Sequence, residues 1–127
     1  MKFIPFDAQS FTPASHENPV SPGVLKKVLA AKADLQPGRL QMINWSNQAA
    51  GKRFARHYHE DMQEVFIIVG GEAEIAIGAE TLKLRRGDAV VIDPGEVHQM
   101  WNLGPAEVEY LVVGITSEAG GKTVLLD

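Results

Sequence analysis

Short apolar segments separated by turn residues are the feature of this sequence that most restricts its fold. From Gly23 onward, turn residues interrupt the apolar segments roughly every eight to twelve residues. The segments are rich in β-branched and aromatic residues and are too short for ordinary helices, which favours strands. A chain of 127 residues has the length of one domain, which we predict to be all-β. The predicted strands are residues 40–45, 64–69, 72–77, 89–92, 97–102 and 108–115.

Residues 23–33 fit two patterns. Their large apolar residues recur at the spacing of one helix face. The segment is also short and precedes a series of predicted strands, so it can equally form a strand. We interpret 23–33 as a strand.

Glycines mark the predicted turns between strands. Gly70 and Gly71 lie between strands 64–69 and 72–77, and glycine reaches positive φ without steric cost. We therefore predict a hairpin turn there. Gly78 and Gly87 mark the next two predicted turns.

The first 22 residues differ in composition from the rest of the chain. They hold four of the seven prolines, and proline lacks an amide donor and disfavours helix in the preceding residue. We therefore expect residues 1–22 to form an extended arm and residues 23–127 to form the domain. A fully solvated arm would not need large apolar side chains, so we expect it to pack on the domain or on a partner subunit. Those side chains are Phe3, Ile4, Phe6 and Phe11.

The predicted strand 64–69 is apolar on both of its faces. Phe66 and Ile68 project to one side, and Val65, Ile67 and Val69 project to the other. A strand with one face in water would carry polar residues at every second position. The outer face is therefore expected to be covered, either by a second copy in a homodimer or by the N-terminal arm. We expect a homodimer.

Composition and charge exclude several classes of function. The chain has no cysteine, which rules out disulfides, thiolate metal sites and a cysteine nucleophile. Sixteen acidic against twelve basic residues give a net charge of −4, so we expect no nucleic-acid or anionic-membrane partner. The longest apolar run, residues 65–69, is far too short to span a bilayer. Residues 1–10 lack the apolar core of a signal peptide, so we expect a cytoplasmic protein.

Three of the four histidines form a pattern that can bind a metal. His57 and His59 are two apart on a predicted strand and share a face, and a short turn can return Glu64 to them. His98 follows a second predicted turn. Imidazole and carboxylate ligands suit first-row divalent ions, namely Fe, Mn, Ni, Zn or Cu. By spacing alone these residues could also be structural, and we interpret His16, in the arm, as an ordinary surface or core histidine.

Two sequence motifs resemble those of the cupin superfamily. The stretch from Gly51 to Gly71 is similar to the first motif, G-x5-H-x-H-x(3,4)-E-x6-G. The stretch from Gly87 to Asn102 is similar to the second, G-x5-P-x-G-x2-H-x3-N, except that Asp93 stands at the proline position. The short spacer between the motifs is typical of small single-domain bacterial cupins.

The resemblance implies a jelly-roll β-barrel with one metal ion inside it. It further implies that His57, His59, Glu64 and His98 bind that ion and leave open positions for water or substrate. Open positions distinguish catalytic metal sites from closed structural ones.

Strand alternation suggests which other side chains face the same cavity. We predict Arg53 on the side of His57, Phe66 with Glu64 and Met100 with His98, and Tyr110 on a neighbouring strand. Arg53 could bind a substrate carboxylate or phosphate in bidentate fashion, or it could be a solvated loop cation. We expect Phe66 and Met100 to form the cavity wall.

We expect a metal-dependent enzyme that acts on a small polar metabolite such as a sugar or sugar acid. The resemblance is compatible with isomerase, epimerase, lyase and dioxygenase activities, because cupins carry out all of them and a fold does not determine its chemistry. The alternative is a non-catalytic cupin that binds a sugar or another metabolite. The motifs contain no strong acid–base candidate besides the predicted ligands; Tyr110 and Asp93 could serve, but nothing in the sequence places either of them at the metal.

Overall fold

Antiparallel β-strands make up most of the computed structural model, which describes residues 1–117 and 121–126. Two 3-10 turns, Phe6–Ala8 and Lys32–Asp34, accompany the strands in these ranges. The strands are β1 Thr12–Pro13, β2 Leu25–Ala31, β3 Leu40–Gln48, β4 His57–His59, β5 Met62–Gly70, β6 Ala73–Ile77, β7 Glu80–Leu84, β8 Ala89–Ile92, β9 His98–Trp101, β10 Val108–Thr116 and β11 Thr123–Leu125.

These strands form two sheets that pack face to face. One has the order β1-β2-β3-β10-β5-β8, and the other has the order β11-β4-β9-β6-β7. From β3 onward the chain passes repeatedly from one sheet to the other, as in a jelly roll. In the described ranges no strand ladder joins the two sheets, so the jelly roll is a sandwich rather than a closed barrel. The prediction of an all-β jelly-roll domain is confirmed.

The segment that fitted both helix and strand is a strand. β2 pairs antiparallel with β3 from Leu25 opposite Asn47 to Ala31 opposite Met42. The register shifts between Val28 and Ala30, which marks a β-bulge. A bulge inserts one extra residue and breaks the two-residue alternation. Leu29 is therefore the extra residue, and the alternation of β2 does not continue through it.

The predicted hairpin at Gly70 and Gly71 is wrong, because β5 and β6 belong to different sheets. The two glycines instead form a corner between the sheets. Gly71 has φ 80°, and a Cβ there would lie 2.3 Å from the carbonyl oxygen of Glu107. The next turn is a true hairpin, since Ile77 pairs with Glu80 across it.

The core lies between the two sheets. Phe66, Ile68 and Tyr110 enter it from the six-stranded sheet, and Ile75 and Met100 enter it from the five-stranded sheet. Along β5 and β10 buried and half-buried residues alternate, as expected for strands with one inward face. No helix in the described ranges is long and apolar enough to cross a membrane.

The N-terminal arm lies along the β2 edge of the six-stranded sheet. Its strand β1 pairs with β2, and the amide of Ala14 donates to the carbonyl of Val24 at 3.1 Å. The Phe6 ring lies 5.2 Å from the ring of Trp45, and the ammonium of Lys27 sits 3.6 Å from the Phe6 centroid. These contacts fall on β2 and β3, whereas the outward side chains of β5 remain half-buried in the single chain.

Candidate metal centre

Four buried side chains from both sheets converge on one point inside the sandwich. β4 supplies His57 and His59, β9 supplies His98, and β5 supplies Glu64. The strands β4 and β9 pair with His57 directly opposite His98, which sets two imidazoles side by side. One potential ligand atom from each of the four residues lies within 4.8 Å of the others. The four residues singled out by sequence are therefore together.

The carboxylate reaches the imidazoles from the opposite sheet rather than from a neighbouring strand of a hairpin. Residues 60 and 61 carry the chain from β4 in one sheet to β5 in the other. The inward faces of β5 and β4 therefore lie opposite each other across the core. This crossing brings Glu64 Oε1 to 2.9 Å from His59 Nε2.

Backbone carbonyls orient two of the imidazoles. The Nδ1 of His57 lies 2.5 Å from the carbonyl oxygen of Ala55, and the Nδ1 of His98 lies 2.9 Å from that of Glu96. A carbonyl can only accept, so each Nδ1 carries a proton, and in the neutral form of either ring Nε2 keeps its lone pair. Such an arrangement is typical of metal-ligating histidines.

Thr123 on β11 contacts the third imidazole. Its hydroxyl lies 2.9 Å from His59 Nδ1, and the two residues are directly opposite each other in the β4–β11 pair. The outer nitrogen of each ligand histidine thus has a protein partner, and the inner nitrogens face one another.

The inner atoms of this cluster are buried without hydrogen bonds. His59 Nε2, His98 Nε2 and Glu64 Oε1 have no hydrogen-bond partner in the described part of the chain, although the two nitrogens lie 2.9 and 3.3 Å from that oxygen. Buried polar atoms left unpaired are costly. Three imidazole nitrogens and one carboxylate oxygen suit a first-row divalent ion, and such an ion would satisfy these atoms together. The residues therefore fit one metal ion.

The ionisation states in the cluster suit metal binding. Burial lowers the pKa of His57 to about 3, aided by the neighbouring imidazoles of His16 and His98. Burial alone would raise the pKa of Glu64, but its contacts with His59 and His98 outweigh burial and hold the pKa below its usual range. His57 is therefore neutral and Glu64 is ionised, and these are the states in which both residues coordinate metals.

A cavity of about 200 Å³ opens beside the cluster. It is lined by His57, His59 and Glu64, so three of the four residues of the cluster border an open space. The Oδ1 atom of Asn44 is buried in its wall and has no hydrogen-bond partner in the described part of the chain. The polar residues that line the cavity include Ser15, Lys26, Gln41, Asn44, Ser46 and Thr123, and the apolar ones include Met42, Phe54, Phe66 and Val112.

Two of the four predicted substrate residues line this cavity. Phe66 and Tyr110 both face it, with their rings 5.1 Å apart. Burial, together with the charge of Glu64, raises the pKa of Tyr110, so its hydroxyl stays protonated. Met100 is fully buried opposite Ile75 and belongs to the core rather than to the cavity lining.

Arg53 lies outside the cavity, and the expected alternation toward His57 does not hold. The side chain is exposed and borders a separate surface depression. Residues 54–56 do not form a strand, so the two-residue period does not extend back from β4. Phe54 is the residue that turns inward, with its ring 5.3 Å from that of His57.

Sequence reasoning missed His16, which reaches the cavity from the arm. We interpreted it as an ordinary histidine, but its ring stacks on His57 with centroids 4.1 Å apart. It also lines the cavity and pairs with Glu17 at 2.8 Å. No spacing relates His16 to the other histidines, so only the folded path of the arm reveals this contact.

Comparison with known proteins identifies the family. Residues 45–114, more than half of the chain, match the family model of the cupin domain. The chain therefore belongs to the cupin family. It is 36% identical over 74 residues to the uncharacterized protein YjlB of Bacillus subtilis (strain 168), a match covering 55% of this chain. That match covers 43% of YjlB, so the chain spans less than half the length of this relative.

Solved structures share the fold at low sequence identity. The predicted oxalate decarboxylase of Thermotoga maritima matches with a TM-score of 0.79 and 21% identity, covering 91% of this chain and 100% of that one. A cupin-superfamily sugar phosphate isomerase of Silicibacter pomeroyi matches with a TM-score of 0.76 and 19% identity, covering 99% and 82%. KdgF from a Halomonas species matches with a TM-score of 0.71 and 21% identity, covering 92% and 97%. These similarities establish the fold.

Proposed function

We propose that this cupin is a metal-dependent enzyme that acts on a small oxygen-rich metabolite. The observation that carries the proposal is the buried cluster of His57, His59, Glu64 and His98, which contains unpaired polar atoms and three members of which line a cavity. A purely structural site would be closed on all sides by protein ligands. Here the ligands stand at the edge of a space that a small molecule can enter.

One divalent ion, Fe, Mn, Ni, Zn or Cu, fits the four donors. When bound, it supplies Lewis-acid polarisation of a carbonyl or hydroxyl oxygen or, if it is iron, activation of dioxygen. The protein contributes the imidazoles of the three histidines, the ionised carboxylate of Glu64 and a partly apolar wall. Phe54 and Phe66 on that wall reduce the access of water to the site.

The size and polarity of the cavity favour a sugar or a sugar acid. A space of about 200 Å³ corresponds to roughly half a dozen water molecules, which limits the substrate to a small metabolite. Lys26 offers a cation to a carboxylate, and Asn44 and Ser46 offer hydrogen bonds to hydroxyls. The structural neighbours named as a sugar phosphate isomerase and as a predicted oxalate decarboxylase support isomerase, epimerase or lyase chemistry. Dioxygenase chemistry would require that the bound ion be iron.

The test is turnover by the metal-loaded protein. The purified chain is loaded with each of the five ions and assayed with a panel of sugars, sugar acids and short hydroxy acids for isomerisation, for elimination and for oxygen consumption. We expect turnover with at least one pair of ion and substrate, lost with a chelator and restored by adding the ion back. Ligand-induced thermal stabilisation without turnover by any pair would support the non-catalytic binding cupin instead.

We also propose that the protein is a homodimer. Val65, Ile67, Leu111 and Val113 lie on the outward side of β5 and β10 and are only half-buried in the single chain. They are neighbours in register, since Leu111 pairs with Ile67 and Val113 pairs with Val65. A second copy packed on this face would bury the apolar rows.

A further inference from the structure

The N-terminal arm reaches the metal centre through His16. Its ring lies almost flat on the ring of His57, with a centroid distance of 4.1 Å and 25° between the planes. It also meets the ring of Phe54 edge-on at 5.6 Å. The His16 side chain is 15% exposed and lines the cavity beside the metal ligands. A fourth imidazole therefore faces the space next to the metal centre without belonging to the ligand cluster.

Glu17 holds this imidazole in place. Its carboxylate is 5% exposed and contacts His16 Nδ1 at 2.8 Å through one oxygen. The same oxygen accepts from the amide of Ala55 at 2.7 Å, and the second oxygen accepts from the amide of Gly23 at 2.7 Å. Burial raises the pKa of Glu17, but these hydrogen bonds outweigh it and the net shift is downward. An ionised, buried carboxylate thus ties the arm to two separate segments of the domain.

The same hydrogen bonds connect the arm to a metal ligand. Ala55 donates its amide to Glu17 and accepts from His57 Nδ1 with its carbonyl. Gly23 packs so closely that a Cβ there would lie 1.7 Å from the carbonyl oxygen of Arg53. This close fit indicates that the position of the arm beside the metal centre is built into the fold.

One nitrogen of His16 remains available to a ligand. Glu17 can only accept, so Nδ1 donates to it, and Nε2 is the free nitrogen. Within residues 1–117 and 121–126, Nε2 forms no hydrogen bond. Because His16 lines the cavity and Glu17 occupies Nδ1, Nε2 is the ring nitrogen left for a molecule bound there.

We propose that His16 Nε2 hydrogen-bonds a hydroxyl group of the small molecule that binds at the metal centre, with Glu17 as the positioning residue. This inference rests on the proposed function. A hydroxyl matches this nitrogen because it can act as donor or as acceptor. Since Lys26 lines the same cavity, the ligand class is a small hydroxylated carboxylic acid.

The experiment compares two probes that differ by one hydroxyl. Lactate and propanoate are titrated into the zinc-loaded full chain by calorimetry, with the wild type and His16→Phe in parallel. Phenylalanine keeps a flat ring on His57 and removes both nitrogens. We expect the wild type to bind lactate more tightly than propanoate. We expect His16→Phe to weaken lactate binding by about fivefold and to leave propanoate within about twofold, as for one lost hydrogen bond.

His16→Gln is the matched rescue, because its amide can place a polar atom near the position of Nε2. We expect it to recover at least part of the lost preference for lactate. Equal lactate affinity in the wild type and His16→Phe, or no lactate preference in the wild type, overturns the inference. An equal loss of affinity for lactate and propanoate in His16→Phe also overturns the inference. His16 would then support the shape of the site without forming a hydrogen bond to the hydroxyl group.

Zinc content and turnover, measured on the same samples, separate this inference from the proposed function. If the wild type prefers lactate through His16 but turns over no substrate, the hydroxyl subsite stands and the enzyme proposal fails. If the wild type turns over a substrate and His16→Phe binds lactate as tightly as the wild type does, the proposed hydroxyl subsite is rejected and the enzyme proposal stands.

Discussion

Glu64 Oε1 lies 2.9 Å from His59 Nε2, although the two residues stand on strands of opposite sheets. Both side chains are nearly buried, and neither atom is satisfied by a hydrogen bond in the described part of the chain. Packing alone would not select two such atoms in the interior, because unpaired buried polar atoms destabilise the fold. Their convergence with two more imidazoles is the basis for the metal assignment.

The metal-free protein should lose stability as the pH falls from about 6.5 toward 3. The folded state holds the pKa of His57 down to about 3, from an ordinary value of 6.5. Between these pH values His57 binds a proton in the unfolded chain but not in the folded protein. The free energy of unfolding therefore decreases as the pH falls. The contribution of this one group is at most about 1.4 kcal/mol per pH unit.

Urea unfolding of the chelator-treated protein across this pH range measures the effect. The control is His57→Gln, which keeps a polar side chain but does not titrate. It should show a shallower slope with pH than the wild type. Identical slopes would mean that His57 accepts its proton in the folded protein as easily as in water.

Glu17→Gln should destabilise the protein above pH 4.5 and have less effect in stronger acid. The pKa of Glu17 in the folded protein lies below its ordinary value of 4.5, so its ionised form stabilises the fold. That contribution is complete above pH 4.5 and disappears as the pH falls through the lowered pKa. Hydrogen bonds to a charged acceptor predict a loss of about 2 kcal/mol near neutral pH.

Thermal unfolding of the wild type and Glu17→Gln at neutral pH and near pH 3 tests this prediction. The exposed Glu80, which opens β7, provides a control variant, Glu80→Gln. We expect little change in the control. A Glu17→Gln variant as stable as the wild type at neutral pH would show that the three hydrogen bonds contribute nothing to the fold.

Gly71→Ala should destabilise the protein much more than Gly78→Ala. Both glycines have positive φ, which costs alanine about 1 kcal/mol. At Gly71 the new Cβ would also lie 2.3 Å from the Glu107 carbonyl oxygen, whereas at Gly78 nothing lies within 4 Å. We therefore expect a further loss of about 1 to 3 kcal/mol for Gly71→Ala, as for other overpacked sites. Denaturant unfolding of both variants measures the difference, and equal losses would contradict the close corner between the sheets.

The homodimer should dissociate when a charge is placed on the outward face of the six-stranded sheet. Leu111 lies at the centre of this face, paired with Trp45 on one side and Ile67 on the other. Leu111→Arg would bury an unpaired charge in the interface. Light scattering after gel filtration should give a dimer for the wild type and a monomer for Leu111→Arg. A monomeric wild type at micromolar concentration would contradict the proposal.

The fold and the ligand set could be predicted from sequence because they depend on local patterns. The short apolar segments correspond to strands, and the spacing of His57 and His59 places both on one face of β4. The spacing also suggested Glu64 and His98 as partners of this pair, and the resemblance of the two motifs implied that all four bind one ion. The strands and the shared face of His57 and His59 could be predicted because both depend on residues that are close in sequence.

The features that sequence did not reveal depend on how distant segments meet. Local glycine patterns do not show whether the chain turns back or crosses to another sheet, so the corner at Gly71 was taken for a hairpin. Arg53 was misplaced because the strand period does not continue through residues 54–56. His16 was missed because the arm passes the metal ligands only in the folded molecule.

Metal content of the purified protein tests the central claim most directly. The wild type and the variants His57→Ala and His98→Ala are treated with chelator, reloaded with one divalent ion at neutral pH, desalted and measured by elemental analysis. We predict close to one ion per chain in the wild type and a sharp loss in both variants, with His16→Phe unchanged as the control. A wild type that retains no ion, or alanine variants that retain as much as the wild type, would contradict the account.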